Sequence, residues 1–264
     1  MMNILILTDL EGVAGVIDFE YTYPEGKYNH IAKVFLTEEV NACCLGCIDA
    51  NVREILVIDG HGSGAILPER LNKSAKLFHG RPGPKFWFFD RGWDGIILLA
   101  HHSMNGTENG NLNHTYSSKT IVNMWLNGEK IGEIGIEIYL AGWFGIPVIL
   151  ITGDEAAARE AEKYVPNIEK AITKWGFTRT SAISLSPAKS RELIKEKTIK
   201  AIRRINEIKP VKVDGECEIV TEFLSTSDAL RVSQRAYIQL VEPTKVRVKG
   251  KNFIEVIDRF FTWG

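Results

Sequence analysis

Short apolar runs alternate with amphipathic and polar segments along the first 180 residues. Four of these runs are continuous and rich in Ile, Val and Leu, which is typical of strands buried on both faces: NILILT (3–8), EILVI (54–58), GIILLA (95–100) and IPVILIT (146–152). Each run ends at a polar or glycine-bearing segment, which predicts that each strand stops there and continues into a loop.

Helical patterns separate these runs. One helix is predicted from about Leu36 to Val52, with Thr37 near its beginning, and another from Glu133 to about Phe144. The segment after Asp154 predicts a third helix, which the Asp154 side chain is placed to cap. Strands that alternate with helices predict an α/β fold, with a mostly parallel central sheet flanked by helices.

The pattern changes beyond about residue 180. SAISL predicts a short strand, and the basic amphipathic segment after it predicts a helix. CEIVTEF and AYIQLVEPTKVRVKG then predict strands, and FIEVIDRFFTWG predicts a terminal helix. We therefore expect an α/β metal-binding catalytic region over 1–185 and a smaller C-terminal α+β region over 186–264, both within one compact unit.

Charge and hydropathy narrow the classes of function. The 264 residues include 32 Lys and Arg and 33 Asp and Glu, for a net charge of -1. This balance gives no electrostatic reason to expect nucleic acid or an anionic membrane as partner. The chain start lacks the basic and long apolar regions of a signal peptide, and no apolar stretch approaches the length of a membrane span. We therefore expect a cytoplasmic protein.

The four cysteines give little sign of a metal cluster. Cys43, Cys44 and Cys47 share one predicted helix, and Cys217 is far away in a predicted strand. No CxxC pair completes a zinc cluster with them, so we expect small buried residues in a reducing compartment.

Side chains that can bind metal follow the predicted strands. In parallel sheets the ligand site lies beyond the carboxyl ends of the strands. This rule selects a set of acidic residues and histidines that directly follow apolar runs: Asp9, Glu11, Asp59, His61, His101, His102 and Asp154.

Asp9 and Glu11 are two residues apart, so in an extended segment both carboxylates leave the same face. Carboxylates held together repel each other unless a cation or proton offsets them, and a solvated loop would show the same pattern. His61, in DGHGSG, offers the imidazole that zinc favours, although a glycine-rich turn can also bind phosphate. His101 and His102 point in opposite directions if extended, so at most one of them faces the site.

Two later residues complete the candidate set. His114 lies in the polar loop NGNLNHTYS, which could return toward the same cleft, and Glu133 begins a predicted helix. The helix dipole alone would also explain an acidic residue there. Taken together, Asp, Glu and His side chains at successive element ends suit a two-metal hydrolase.

The order of motifs resembles that of the D-aminopeptidase family, peptidase family M55. The matching segments run from near residue 4 to about 200: TDLEGVAGV, LTEEVNACC, VIDGHGS, LLAHHSM, HTYS, NGEKIGEIGIEIYLAGWFGIPVILITGDEAAAREAE and LSPAKSRELIKEKT. The long segment that contains GEIG and the later GD is the most specific of them.

The resemblance implies a zinc-dependent aminopeptidase that hydrolyses N-terminal residues of short peptides, D-amino-acid peptides in particular, by a metal-activated water. It implies two Zn²⁺ per subunit, with Asp9 bridging the ions and the remaining ligands supplied by Glu11, His61, His102 and Glu133. His114 matches the family's catalytic histidine. The family also forms ring-shaped homo-oligomers, decameric in its type member.

Two other functions remain open from the sequence. A two-metal phosphoesterase would use the same ligand types, and DGHGSG could serve a phosphate. An inactive metal-binding oligomeric scaffold would keep the ligands without turnover.

Overall fold

The computed structural model describes residues 2–62, 64–80, 86 and 88–260. In this part of the chain the strands are β1 (Asn3–Thr8), β2 (Glu54–Asp59), β3 (Ala75–Phe78), β4 (Gly95–His101), β5 (Ile121–Leu126), β6 (Glu129–Lys130), β7 (Val148–Asp154), β8 (Glu169–Thr178), β9 (Ser181–Ser184), β10 (Cys217–Phe223), β11 (Ile238–Glu242) and β12 (Lys245–Gly250). The α-helices are α1 (Asn29–Asp49), α2 (Glu133–Trp143), α3 (Glu155–Tyr164), α4 (Pro187–Arg203), α5 (Thr226–Ser233) and α6 (Phe253–Phe260).

The strands form two sheets. A seven-stranded sheet has the order β3-β2-β1-β4-β7-β8-β9, and all its pairs are parallel except β8 with β9. A five-stranded antiparallel sheet has the order β11-β12-β10-β5-β6. Every residue of β1 and β4 is buried, as expected of strands covered on both faces, whereas β10 alternates between buried and half-buried positions.

Helices cover the larger sheet. α1 packs against α4, α3 packs against β7 and β8, and α2 packs against α3. α6 instead packs against β12 of the smaller sheet. The predicted fold class, a mostly parallel sheet flanked by helices with a smaller α+β portion, is therefore confirmed.

The predicted beginning of the first helix is wrong. α1 begins at Asn29 and ends at Asp49, whereas the pattern predicted about Leu36 to Val52. Thr37 lies inside this helix, where its hydroxyl donates to the Lys33 carbonyl oxygen at 2.7 Å and accepts from the Leu67 N–H at 3.0 Å. The pattern was misleading because a threonine whose hydroxyl donates to the preceding turn of a helix has the same sequence signature as an N-terminal cap.

Residue 185 does not separate the two sheets along the chain. An element before it joins the smaller sheet, and an element after it packs against the larger one. α4 packs against α1 and β8 of the larger layer, while β5 pairs with β10 in the smaller sheet. The division into 1–185 and 186–264 stays a prediction about how the chain is organised.

All four cysteines are buried and free, as predicted. Among the described residues, no helix is both long and apolar enough to cross a membrane.

Candidate active site

The carboxyl ends of β1, β2 and β4 meet at one edge of the larger sheet, where they are joined by the first residue of α2 and by the loop that carries His114. Two groups of three side chains form there, and within each group the possible ligand atoms lie within 4.8 Å of one another: Asp9, Glu11 and His61, and His102, His114 and Glu133. A 3.3 Å distance between Asp9 Oδ2 and His102 Nε2 links the two groups. All six residues predicted for the site are therefore brought together.

The segment after β1 is held tightly against the end of β4. Gly12 donates its N–H to the Ala100 carbonyl oxygen at 2.7 Å. A Cβ atom at Gly12 would lie 2.3 Å from the Ala100 carbonyl carbon and 2.4 Å from the His101 carbonyl oxygen, so only glycine fits. Ala100 itself has φ of 63°, which turns the end of β4 out of regular strand geometry.

The loop after β2 positions His61 through a different set of contacts. A Cβ atom at Gly60 would lie 2.4 Å from the Thr8 carbonyl oxygen, so the loop starts in close contact with β1. Asp59 accepts from the N–H of Ala65 at 2.8 Å and from that of Ile66 at 3.2 Å, which closes the loop. Asp59 therefore anchors the loop, and His61, two residues later, faces the cluster, with Nε2 at 3.5 Å from Glu11 Oε1.

The two adjacent histidines at the end of β4, His101 and His102, have different surroundings. His102 places Nε2 at 3.3 Å from Asp9 Oδ2 and at 3.5 Å from Glu133 Oε1, while its Nδ1 lies 3.0 Å from the Ser103 carbonyl oxygen. His101 turns away, with Nε2 at 2.7 Å from Glu137 Oε2 and Nδ1 at 3.2 Å from the Leu99 carbonyl oxygen. Both nitrogens of His101 are thus engaged, and His102 is the one that faces the cluster.

His114 stacks on His102. The two imidazole rings are 3.9 Å apart between centroids and inclined by 13°, and the ring of Phe19 meets His114 edge-on at 6.0 Å. The Nδ1 of His114 lies 2.8 Å from the Leu112 carbonyl oxygen. Burial and then the neighbouring His102 lower the pKa of His114, which favours the neutral imidazole.

Asp154 supports this loop from outside the cluster. Its Oδ1 caps α3 by accepting from the Ala157 N–H at 2.9 Å, as the sequence predicted. Its Oδ2 accepts from the Asn111 N–H at 2.8 Å, three residues before His114. The carboxylate at the end of β7 therefore fixes the loop that carries His114.

The three carboxylates of the cluster repel one another. Burial raises the pKa of Asp9 well above its usual range, and the charges of Glu11 and Glu133 raise it further. Burial also raises the pKa of Glu133. Burial acts in the same direction on Glu11, but the charge of His61 and its hydrogen bond to Glu11 outweigh it and leave the pKa of Glu11 well below the usual range. A bound cation would relieve this crowding.

The donor atoms fit zinc. Ligand atoms at about 2.1 Å from a tetrahedral ion lie about 3.4 Å from one another. The distances from His61 to Glu11 and from His102 to Asp9 and Glu133 are 3.5, 3.3 and 3.5 Å. Asp9 Oδ2 and Glu11 Oε2 are buried without a hydrogen-bond partner among the described residues, as ligand atoms of an ion would be.

Sequence reasoning missed two groups that support the site. Glu137, which pairs with His101, lies one helical turn after Glu133 on α2, so helical spacing could have suggested it. Lys174 on β8 is fully buried and donates from Nζ to the carbonyl oxygens of Glu11 and Val16. No pattern in the sequence marks a lysine in a strand as buried.

A parallel sheet with imidazoles and carboxylates gathered at its carboxyl edge has the architecture of a metallohydrolase. Comparisons with known proteins agree. The model of the D-aminopeptidase family, peptidase family M55, matches residues 2–261. A curated D-aminopeptidase of Bacillus subtilis (strain 168) is 29% identical over 232 residues, which cover 86% of this chain and 84% of that protein.

A solved structure gives the same result. It is described as the Zn-dependent D-aminopeptidase DppA from Bacillus subtilis, a self-compartmentalizing protease, and it superposes with a TM-score of 0.93 at 26% sequence identity. The match covers 99% of this chain and 96% of the other. The chain belongs to the D-aminopeptidase family, which confirms the predicted family and the predicted enzyme class, a metallo-aminopeptidase.

Proposed function

We propose that this chain is a zinc-dependent aminopeptidase that removes the N-terminal residue from short peptides, D-amino-acid peptides in particular. Two Zn²⁺ per subunit would be held by the predicted ligand set, with Asp9 between the ions: Asp9, Glu11, His61, His102 and Glu133. The main support is the geometry of the two groups of ligand atoms, which the 3.3 Å approach of Asp9 to His102 joins into one cluster.

The residues of the site have different roles in the proposed reaction. Zinc, when bound, acts as a Lewis acid that polarises a carbonyl group and activates water. Glu133 and His61 are the most exposed of the predicted ligand side chains, at 19% and 13%, so substrate would enter on their side of the cluster. Glu11 and His102 are almost fully enclosed, which keeps their donor atoms fixed.

His114 is suited to moving a proton. With Nδ1–H donated to the Leu112 carbonyl oxygen, a neutral His114 carries its lone pair on Nε2 and can accept a proton there. It would take a proton from the attacking water and pass it to the leaving amine. The stacked ring of His102 and the edge of Phe19 restrict the imidazole to this orientation.

The preference for D-residues and the assembly rest on kinship. The similar structure is described as self-compartmentalizing, and we propose a homo-oligomer, a decamer by analogy with the family's type member, for this chain. A cytoplasmic location is proposed on the four free, buried cysteines, which suit a reducing compartment. The charge balance of the sequence gives no reason to expect a nucleic-acid or membrane partner.

The deciding experiment compares substrates on metal-reconstituted protein. D-alanyl and L-alanyl anilides are assayed in parallel, together with N-acetylated versions and an aryl phosphate, before and after treatment with a chelator. We expect chelator-sensitive cleavage of the D-alanyl substrate and none of the acetylated one. Cleavage of only the L-alanyl substrate would remove the D-specific part, and hydrolysis of only the aryl phosphate would replace the peptidase with a phosphoesterase.

A further inference from the structure

Lys174 is an unusual residue for its position. It lies within β8, its side chain is fully buried, and no carboxylate lies within 4.0 Å of its Nζ among the described residues. Burying an ammonium group without an ion pair costs several kcal/mol, so the rest of the structure must offset it. The offset comes from backbone carbonyl oxygens at the candidate site, with the charges of Asp154 and Glu11 acting from further away.

A β-bulge aims two neighbouring side chains at one loop. In the pairing of β7 with β8, Gly153 is opposite Ile172 and Asp154 is opposite Lys174, so Thr173 is an extra residue. In a regular strand Thr173 and Lys174 would point to opposite faces of the sheet. The bulge re-aims side chains locally, and bulges are common next to active sites.

Both side chains contact the loop that carries the predicted ligand Glu11. The Lys174 Nζ donates to the carbonyl oxygens of Glu11 and Val16, which are five residues apart in the loop. The Thr173 hydroxyl lies 2.7 Å from the Gly12 carbonyl oxygen and 3.0 Å from that of Gly153. Consecutive carbonyl groups of the loop, those of Glu11 and Gly12, are thus held by consecutive residues of β8.

We propose that Thr173 and Lys174 form a clamp of positioning residues that holds Glu11 in place and so sets the metal affinity of the half-site formed by Glu11 and His61. This inference rests on the proposed metal site. The other half of the cluster, with His102 and Glu133, is carried by β4 and α2, whose backbone carbonyl groups make no hydrogen bond to either clamp residue among the described contacts. The clamp therefore acts on one half-site more than on the other.

Two conservative variants remove the clamp contacts. Lys174→Met keeps an unbranched side chain only one atom shorter and removes its charge and donors, and Thr173→Val replaces the hydroxyl with a methyl group. Thr198→Val is the matched control, because the Thr198 hydroxyl is equally buried and donates to the Ile194 carbonyl oxygen at 2.8 Å within α4. Wild type and the three variants are titrated with Zn²⁺ against a competing chelator, and bound zinc is counted by elemental analysis.

The expected result is a loss of affinity for one ion. Removing a group that orients a ligand typically weakens metal binding by about 10- to 100-fold, and we expect a change of this size for one of the two ions in K174M. T173V, which loses one neutral hydrogen bond, should weaken the same ion by roughly fivefold. T198V should bind both ions as the wild type does.

A double-mutant cycle assigns the effect to a half-site. His61→Ala removes an imidazole from the half-site in question, so K174M added to it should weaken zinc binding much less than K174M alone does. Added to His102→Ala, K174M should retain its full effect. This difference is one that a general loss of stability would not produce.

The inference is overturned if folded K174M binds both ions with wild-type affinity, or if both ions weaken equally. Should K174M prove unfolded by circular dichroism, T173V decides, and wild-type affinity in T173V would then overturn the clamp. The proposed function is judged separately on the wild type: a protein with two tightly bound ions and no peptidase activity would refute that function and leave the clamp intact.

Discussion

A neutral imidazole has one donor and one acceptor nitrogen, and at this site backbone carbonyl groups decide which is which. The Nδ1 atoms of His102 and His114 lie 3.0 and 2.8 Å from carbonyl oxygens, so each ring donates there and leaves Nε2 free. His101 has a partner at each nitrogen and keeps none free. The carbonyl groups thus divide three buried histidines into two that can bind metal or protons and one that supports α2 through Glu137.

Replacing His114 with Ala should depress kcat by on the order of 10²–10⁴ while both zinc ions stay bound, because His114 is proposed to move a proton and not to hold an ion. Steady-state kinetics and elemental zinc analysis of the same preparation check this. His30→Ala, at an exposed position of α1, is the control.

The position of His114 would also allow it to bind an ion, and this defines the result that would contradict the prediction. Its ring nitrogen lies within 4.8 Å of ligand atoms of His102 and Glu133. Loss of one zinc ion from the His114→Ala variant would therefore make His114 a ligand, and unchanged kcat would remove it from the mechanism.

At the scale of single residues, the sequence could supply the members of the site but not their orientation. Asp9, Glu11 and His61 follow apolar runs, so the rule for parallel sheets was sufficient to group them. The choice between His101 and His102 depends on the backbone at Ala100, whose φ of 63° no propensity predicts. That choice could be made from the sequence only through the family resemblance.

At the scale of elements, α3 joins two parts of the site through one carboxylate. Glu160 accepts from the Met104 N–H at 2.7 Å, in the loop after His102. Its other oxygen has no hydrogen-bond partner among the described residues and would lie 2.8 Å from a Cβ atom at Gly132, the residue before Glu133. Burial raises the pKa of Glu160 to about 7.

This pKa predicts a pH-dependent stability. The folded pKa of Glu160 is about 7 and the ordinary value is 4.5, so between these values the folded state holds a proton that the unfolded state has lost. The free energy of unfolding should therefore fall as pH rises through this window, by about 3 kcal/mol at most. Glu160→Gln keeps an acceptor for Met104 without the charge and should lack this part of the decline.

Urea unfolding of wild type and Glu160→Gln at pH 5, 6, 7 and 8, with metal removed from both, measures the effect. The difference between the two proteins isolates Glu160, since the other titrating groups are common to both. A constant difference across the four pH values would show that Glu160 does not titrate in this range.

Elements were predictable where their pattern is regular and were missed where it is mixed. β1 and β4 have continuous apolar centres, and both were predicted almost to the residue. β8 was not predicted, because its sequence EKAITKWGFT mixes charged and apolar residues around a bulge. The proposed clamp lies in this strand, so a strand with an irregular sequence pattern carries the contacts that the sequence did not reveal.

At the scale of the whole molecule, one apolar surface lies far along the chain from the candidate site. Leu230 of α5 and Leu240 and Val241 of β11 are 53%, 45% and 38% exposed and line one shallow depression. β11 is also the outermost strand of the antiparallel sheet, where backbone groups are available to another chain. Exposed apolar groups clustered in this way typically mark a contact surface between proteins.

A second copy of this chain is the occupant we predict for that surface, because the similar structure is described as self-compartmentalizing and superposes over almost the whole chain. Sedimentation velocity should show a homo-oligomer, and the double substitution Leu230→Glu with Leu240→Glu should lower its mass, since charges would be buried in the contact. Ile31→Glu with Leu45→Glu on α1 is the matched control, with side chains 45% and 44% exposed. A smaller assembly in the α1 variant alone would move the contact to that helix, and a monomeric wild type would exclude the assembly.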